Sequence, residues 1–148
     1  MPHAEWPGDP DRLISTYFAA WNAHAALPRR QFLQACWSLD AVFTDPLVRV
    51  EGLDAMDGYI ASVRAGDDQL RFALAGSPDH HHQRVRFGWR LFDAADRPLL
   101  EGNSFGEIGA AGRFERLVAF FDCGGEAPAP RSDTAAGAAF NALRRPAR

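Results

Sequence analysis

The chain contains no lysine; all 16 of its basic residues are arginine. Schiff-base chemistry and a lysine general base are therefore excluded. Thiols are scarce, with Cys36 in a helical pattern and Cys123 at the end of a strand pattern. Spacing alone leaves a disulfide between them open. The lack of secretory features favours two reduced thiols in a cytoplasmic protein. Met1 to Pro7 has no basic start and no apolar stretch, so no signal peptide is read there. No apolar run approaches the ~20 residues of a membrane span, and no membrane partner is expected. Nineteen acids against 16 bases leave a formal charge of −3. That balance argues against a nucleic-acid surface or a basic membrane patch. There is no internal repeat, no nucleotide-binding motif and no metal motif, so no cofactor is expected.

What is there is ordinary globular material: 148 residues, 47% hydrophobic and 24% charged. A chain of this length builds one domain with a core of its own. Asp9-Pro10-Asp11 reads as an N-cap, an N1 proline and an acidic first turn. Ile14, Tyr17, Phe18 and Trp21 then form the stripe of an amphipathic helix, closed by Asn22 to Leu27. Pro28 suits the first turn of a second helix with Phe32, Leu33, Cys36 and Trp37 as its buried stripe. Ala41 to Asp45 is a strand stopped by Pro46, and Val48 to Glu51 alternates as another, ended by Gly52. A third helix carries Met56, Tyr59, Ile60 and Val63, with Gly66 as its stop.

From Leu70 the period switches to two. Leu70 to Leu74 is a strand and Gly76 to Asp79 a turn. His80 to Asp93 reads as one long strand, with Val85, Phe87, Trp89 and Leu91 on one face and Arg84, Arg86 and Arg90 on the other. Leu99 to Ile108 and Phe114 to Asp122 are joined by the Gly109 to Gly112 hairpin loop. The order is α-α-β-β-α-β-β-β-β, an α+β plan. Residues 124–148, rich in Ala, Pro and Arg, read as a disordered tail with a short helix over Thr134 to Arg145. Residues 1–8 read as an N-terminal extension, and 9–123 as the domain.

Three stretches carry a family resemblance. They are Tyr17 to His24, Ala41 to Pro46 followed by Glu51-Gly52, and Gly102 to Phe121. Together they resemble the nuclear transport factor 2-like superfamily, especially its SnoaL-like and ketosteroid-isomerase-like branches. The resemblance implies a cone: a strongly curved antiparallel sheet wrapped around three N-terminal helices, with an apolar pocket inside. It also implies a homodimer through the outer sheet face, where Arg84, Arg86 and Arg90 lie. The superfamily hosts many unrelated functions, so the fold alone does not assign one.

Asp45 stands out on chemistry. A carboxylate among apolar walls is pushed toward neutrality and suits general-base work. Asp-Pro is also ordinary turn punctuation, and both readings stay open. The resemblance places Asp45 at the proton-abstracting position of ketosteroid isomerases and Tyr17 at their oxyanion-stabilising position. Asn103, two before Phe105, falls where that family has a protonated Asp; its amide can still donate a hydrogen bond. SnoaL-like polyketide cyclases carry a catalytic Asp near this point, so Asn103 counts against their mechanism. An epoxide-hydrolase reading needs an Arg-x-Asp pair. Arg90 to Asp93 has the wrong spacing, and Asp122 lacks a partner pair.

Trp21, Phe43, Trp89, Phe105 and Phe87 are expected to line the pocket, with His81, Glu101 and Glu107 as polar contributors. His80-His81-His82 reads as a solvated strand start, because a metal site needs further converging ligands. The leading expectation is proton abstraction next to the carbonyl of an apolar steroid-, polyketide- or terpenoid-like molecule, without a cofactor. Asp45 would be the base, and Tyr17 and Asn103 the donors. The alternative is a non-catalytic ligand- or partner-binding domain.

Overall fold

A side-chain cap opens the first helix. Asp9 accepts a 3.0 Å hydrogen bond from the Asp11 amide, and Pro10 takes the first helical position, where its missing N–H does no harm. The computed structural model describes residues 8–122. Cys123, the expected tail over 124–148 with its short helix, and nearly all of the N-terminal extension lie outside the described residues.

The elements run α1 (Pro10–Asn22), α2 (Ala26–Cys36), β1 (Trp37–Thr44), β2 (Arg49–Glu51), α3 (Leu53–Gly66), β3 (Arg71–His81), β4 (Arg84–Phe92), β5 (Pro98–Ile108) and β6 (Phe114–Phe121). No helix among the described residues is long and apolar enough to cross a membrane. Helix α2 differs from its expected stripe. Leu33 and Cys36 are buried, while Phe32 lies a hundred-degree step away and is exposed. Trp37 is buried too, but its backbone is extended and it opens β1.

The sheet order is β2-β1-β6-β5-β4-β3. It is mixed: β6 lies parallel to β1, and every other pair is antiparallel. Hairpins join β3 to β6 in sequence, and β6 then meets β1 across α3 and four strands. That meeting is non-local, so local hairpin patterns do not reveal its direction. The sheet is open, with β2 and β3 as edges, and it is not strongly curled. The expected cone is corrected accordingly. One helical layer buries one sheet face without requiring the edges to close.

Two further corrections concern β3 and β4. Gly76 to Asp79 is an irregularity within β3 rather than a turn between strands. The long strand from His80 is broken at His82 and Gln83, both left-handed with φ of 49° and 61°. His80 and His81 therefore end β3, facing Val85 and Arg84 across the hairpin. This two-residue turn contains neither Gly nor Asn, the usual sequence signals for it.

Alternation sorts β4 cleanly, with Val85, Phe87, Trp89 and Leu91 inward. On β5 the inward residues are Gly102, Ser104, Gly106 and Ile108. A Cβ on Gly102 would stand 2.0 Å from the Phe120 carbonyl oxygen and 2.5 Å from a Trp89 ring carbon. Gly102 is bare so that the indole can lie over β5. Asn22, the last residue of α1, clamps that helix to β3. Its amide nitrogen donates to the Phe72 carbonyl at 2.9 Å, and its oxygen accepts from the Phe72 N–H at 2.8 Å.

Asn22→Ala leaves both Phe72 groups without their partner. The expected loss is ~1–3 kcal/mol, read as a lower urea midpoint with an unchanged slope. An unchanged midpoint would mean that water replaces the clamp.

Candidate functional site

Asp45 follows the last residue of β1, where the chain turns into β2. Its N–H donates to the Val48 carbonyl at 3.0 Å. Its Oδ1 accepts from the Leu47 and Val48 amides at 2.7 and 3.0 Å. The side chain thus builds the turn that Asp-Pro suggests. Its second oxygen does something else. Oδ2 accepts a short hydrogen bond from the hydroxyl of Tyr59, delivered by α3. Burial holds the carboxyl above its ordinary range; the bonds from Tyr59, Leu47 and Val48 pull the other way without cancelling it. Tyr59 is pushed up by burial first, then by the charge and hydrogen bond of Asp45. Its phenol stays protonated at neutral pH and serves as a donor.

Tyr17 comes from α1 and shares the cavity with Asp45. Burial pushes its phenol up as well, against a hydrogen bond from the Trp21 indole; the Cys36 and Asp45 charges add to the rise. Trp21, Phe43 and Trp89 line the same cavity, as the sequence suggested. Ser104, 2% exposed, also supplies a hydroxyl to the wall, and no sequence motif signals it. The sequence pattern places Tyr59 in the core stripe without assigning it a contact to Asp45. No local pattern links residues 14 apart on a strand end and a helix.

The cavity holds about 40 Å³. That is room for a water molecule, well below the ~300 Å³ at which small-molecule pockets begin. Rings occupy the space expected for a flat polycyclic ligand. Phe72 stands 4.7 Å from Trp21 and 6.4 Å from Trp89, and Phe121 lies 5.8 Å from Trp89. Phe72 and Phe121 are only partly buried and form the rim.

The other expected site residues do not reach this cavity. Asn103 is on the outer sheet face, opposite Gly88, together with Glu101, Phe105 and Glu107. Reading the apolar phase of β5 from Phe105 inverts the strand, because its inner residues are small and Phe105 is exposed. Phe105, Glu107 and His81 line an outer groove of about 360 Å³. Glu101 pairs with Arg90 at 3.4 Å. Phe87 packs behind Tyr17 and Phe18, inside the core.

The outer arginines pair within the chain: Arg86 with Asp79 at 3.1 Å, Arg84 and Arg116 with Glu107 at 3.9 and 3.7 Å. Asp93 caps its own loop, accepting from the Ala95 and Arg97 amides. Among the described residues no three His, Cys, Asp or Glu side chains gather closely enough to hold a metal ion. Cys36 is fully buried, and burial pushes its thiol up to about 12, which leaves it unreactive.

A crystal structure from Agrobacterium tumefaciens, provisionally described as an isomerase of the SnoaL-like family, superposes with a TM-score of 0.72. It is 32% identical, and the match covers 75% of this chain and 95% of that one. The chain belongs to the SnoaL-like family. Its SnoaL-like frame recurs in a Sinorhizobium meliloti protein provisionally described as a polyketide cyclase, at 16% identity and a TM-score of 0.60, over 75% of this chain and 94% of that one. It recurs again in a Mycobacterium tuberculosis protein of unknown function, at 14% identity and a TM-score of 0.67, over 90% and 83%. These two likenesses concern the fold, which is that of the nuclear transport factor 2-like superfamily. No family model and no curated protein matches the chain.

The raised Asp45 carboxyl has a consequence for stability. Between the ordinary carboxylate range and its own raised value, the folded chain keeps a proton that the unfolded chain has released. Stability therefore falls as pH rises through that window. Asp45→Asn removes the charge and keeps an acceptor for the turn amides. Melting curves at pH 7 are expected to show the variant at least as stable as wild type, with the difference shrinking below pH ~4. Tyr59→Phe removes a bond to the charged form, so the Asp45 titration seen by NMR moves further up. A downward move would contradict this account.

Proposed function

We propose that this SnoaL-like protein transfers a proton at the carbon next to a carbonyl, without a cofactor, using Asp45 as the base. The observation behind this is the state of Asp45. It is held at both oxygens, sits on the wall of an apolar cavity, and is raised toward neutrality. A carboxylate raised above its ordinary range is a stronger base toward a C–H proton than an exposed one. Tyr59 fixes the carboxylate and is a positioning residue. Tyr17, kept protonated by burial, is the phenolic donor on the cavity wall. The α C–H proton passes to Asp45 and its electron pair moves to the carbonyl oxygen, giving an enolate. The same carboxyl then returns the proton to another carbon of the conjugated system. The substrate is an apolar carbonyl compound that enters by parting the Phe72 and Phe121 rings. The provisional isomerase description of the Agrobacterium relative agrees with this reaction class. A cyclase mechanism is less suited, since Asn103 cannot act as its acid.

Asp45→Asn is expected to lower β,γ-enone isomerisation by roughly 10²–10⁴-fold, while the fold melts normally. Wild-type activity should decline on acidification, as Asp45 takes up its proton. Equal rates in wild type and variant would leave passive ligand binding, which the turn bonds of Asp45 and the narrow cavity also fit.

We further propose a homodimer through the outer sheet face, in a cytoplasmic setting. Phe105 and Phe120 are 45% and 55% exposed there and meet edge to face at 5.9 Å. The arginines beside them already have acidic partners within the chain, so a second copy meets little unpaired charge. Phe120→Glu should convert the dimer to monomer in sedimentation equilibrium. A monomeric wild type removes the proposal.

A further inference from the structure

Among the described residues, two buried indole N–H groups have no hydrogen-bond partner in the protein, those of Trp37 and Trp89. Buried donors are rarely left so, and each one calls for an explanation. Trp37 is not on the cavity wall. Trp89 is, and it is 6% exposed. We infer that the Trp89 indole N–H is the donor that receives the substrate's carbonyl oxygen, with the Ser104 hydroxyl beside it. This inference rests on the proton-transfer reading above, and adds to the Tyr17 phenol a second group that polarises the substrate.

The placement follows from the sheet. Trp89 lies directly opposite Gly102 on β5, and Ser104 is the next inward residue of that strand. Because Gly102 has no side chain, the Trp89 ring lies over β5 itself. The indole and the hydroxyl therefore share one part of the wall. Asp45 sits at the end of β1, and β6 and β5 lie between β1 and β4. Three strand spacings of ~4.8 Å separate the backbones of base and donor. Between them on the cavity floor is Ala119, a small side chain on β6. On this proposal a carbonyl compound lies across Ala119, with its oxygen on the Trp89 side and its α-carbon on the Asp45 side.

Indole N–H donates and cannot accept. The ligand atom facing it must therefore be an acceptor, such as a carbonyl or enolate oxygen. As charge develops on that oxygen, a fixed donor in a dry site stabilises it more strongly than water does. The enolate's electron pair comes from the α C–H bond and its proton stays on Asp45, so the step needs no other reactant. The amide of Asn103 was expected to donate from β5, but it faces the other side of the sheet.

The test uses 4-nitrophenol, whose phenolate oxygen imitates an enolate, and the indole N–H signals of ¹⁵N-labelled protein. The Trp89 signal is assigned by its loss in Trp89→Phe. It should move downfield on titration with the probe. Trp89→Phe should weaken the probe at least about 10-fold and lower enone kcat by roughly 10²–10³-fold. Because Phe also changes packing, benzothienylalanine at position 89 serves as a second variant; it keeps the ring shape and lacks the N–H. It should melt like wild type and show the same losses. A Trp89 signal that stays put while the probe binds overturns the inference. So does a signal already at a hydrogen-bonded position without probe, which would mean that a fixed water fills the site. Enone activity without the Trp89 shift overturns this inference and leaves Asp45 as base. A Trp89 shift with no enone activity supports the donor and overturns the reaction.

Discussion

Where α1 crosses the sheet, Tyr17 meets the rings of Phe18, Trp21, Trp37, Phe87 and Phe114 at centroid distances of 5.7 to 6.5 Å. Most of these pairs are edge to face, the arrangement favoured by the ring quadrupole, and each adds about 0.5–1.5 kcal/mol beyond its buried area. This packing sets the gap between helix and sheet. The gap in turn fixes how much empty space remains, which is little, and how dry the walls are. Asp45 is raised because those walls are aromatic, and Tyr17 and Tyr59 stay protonated for the same reason.

Asp45 answers the question its sequence context poses by doing two things at once. One oxygen satisfies the turn amides, and the other takes the Tyr59 hydroxyl. The turn bonds explain its geometry fully. They do not explain why the residue is a carboxylate, since Asn closes the same turn without a buried charge. A charged group kept where a neutral one is cheaper is a pattern of functional sites. The sheet shows a similar division of labour. Its inner face is thinned at Gly102 to accept the Trp89 ring of β4 and at Gly106 to accept Phe114 and Leu117 of β6, and its outer face carries paired charges around the Phe105 and Phe120 rings.

Much of the fold was legible where one element declares itself. Asp9-Pro10 and the Ile14 to Trp21 stripe give α1, and Val85 to Leu91 gives the inner face of β4. The residues Asp45, Tyr17, Trp21, Phe43 and Trp89 were named from sequence and meet at one cavity. The failures share a cause. Asn103 and Phe105 were assigned to the pocket because a large apolar residue usually faces the core. On β5 the rings of other strands already fill the core, and only small residues fit inward. The break at His82-Gln83 was missed because residues other than Gly or Asn adopt its left-handed backbone.

The sequence by itself determined the element order, the Asp9 cap of α1, the exclusion of lysine chemistry and the candidate base. Those follow from properties of neighbouring residues: side-chain period, capping oxygens and backbone freedom. Only the tertiary structure decided that β6 lies beside β1, that Tyr59 reaches Asp45, that Ser104 and Trp89 rather than Asn103 face the cavity, and that the cavity is narrow. Each of these depends on groups far apart in the chain competing for one volume. No local pattern records which of them wins.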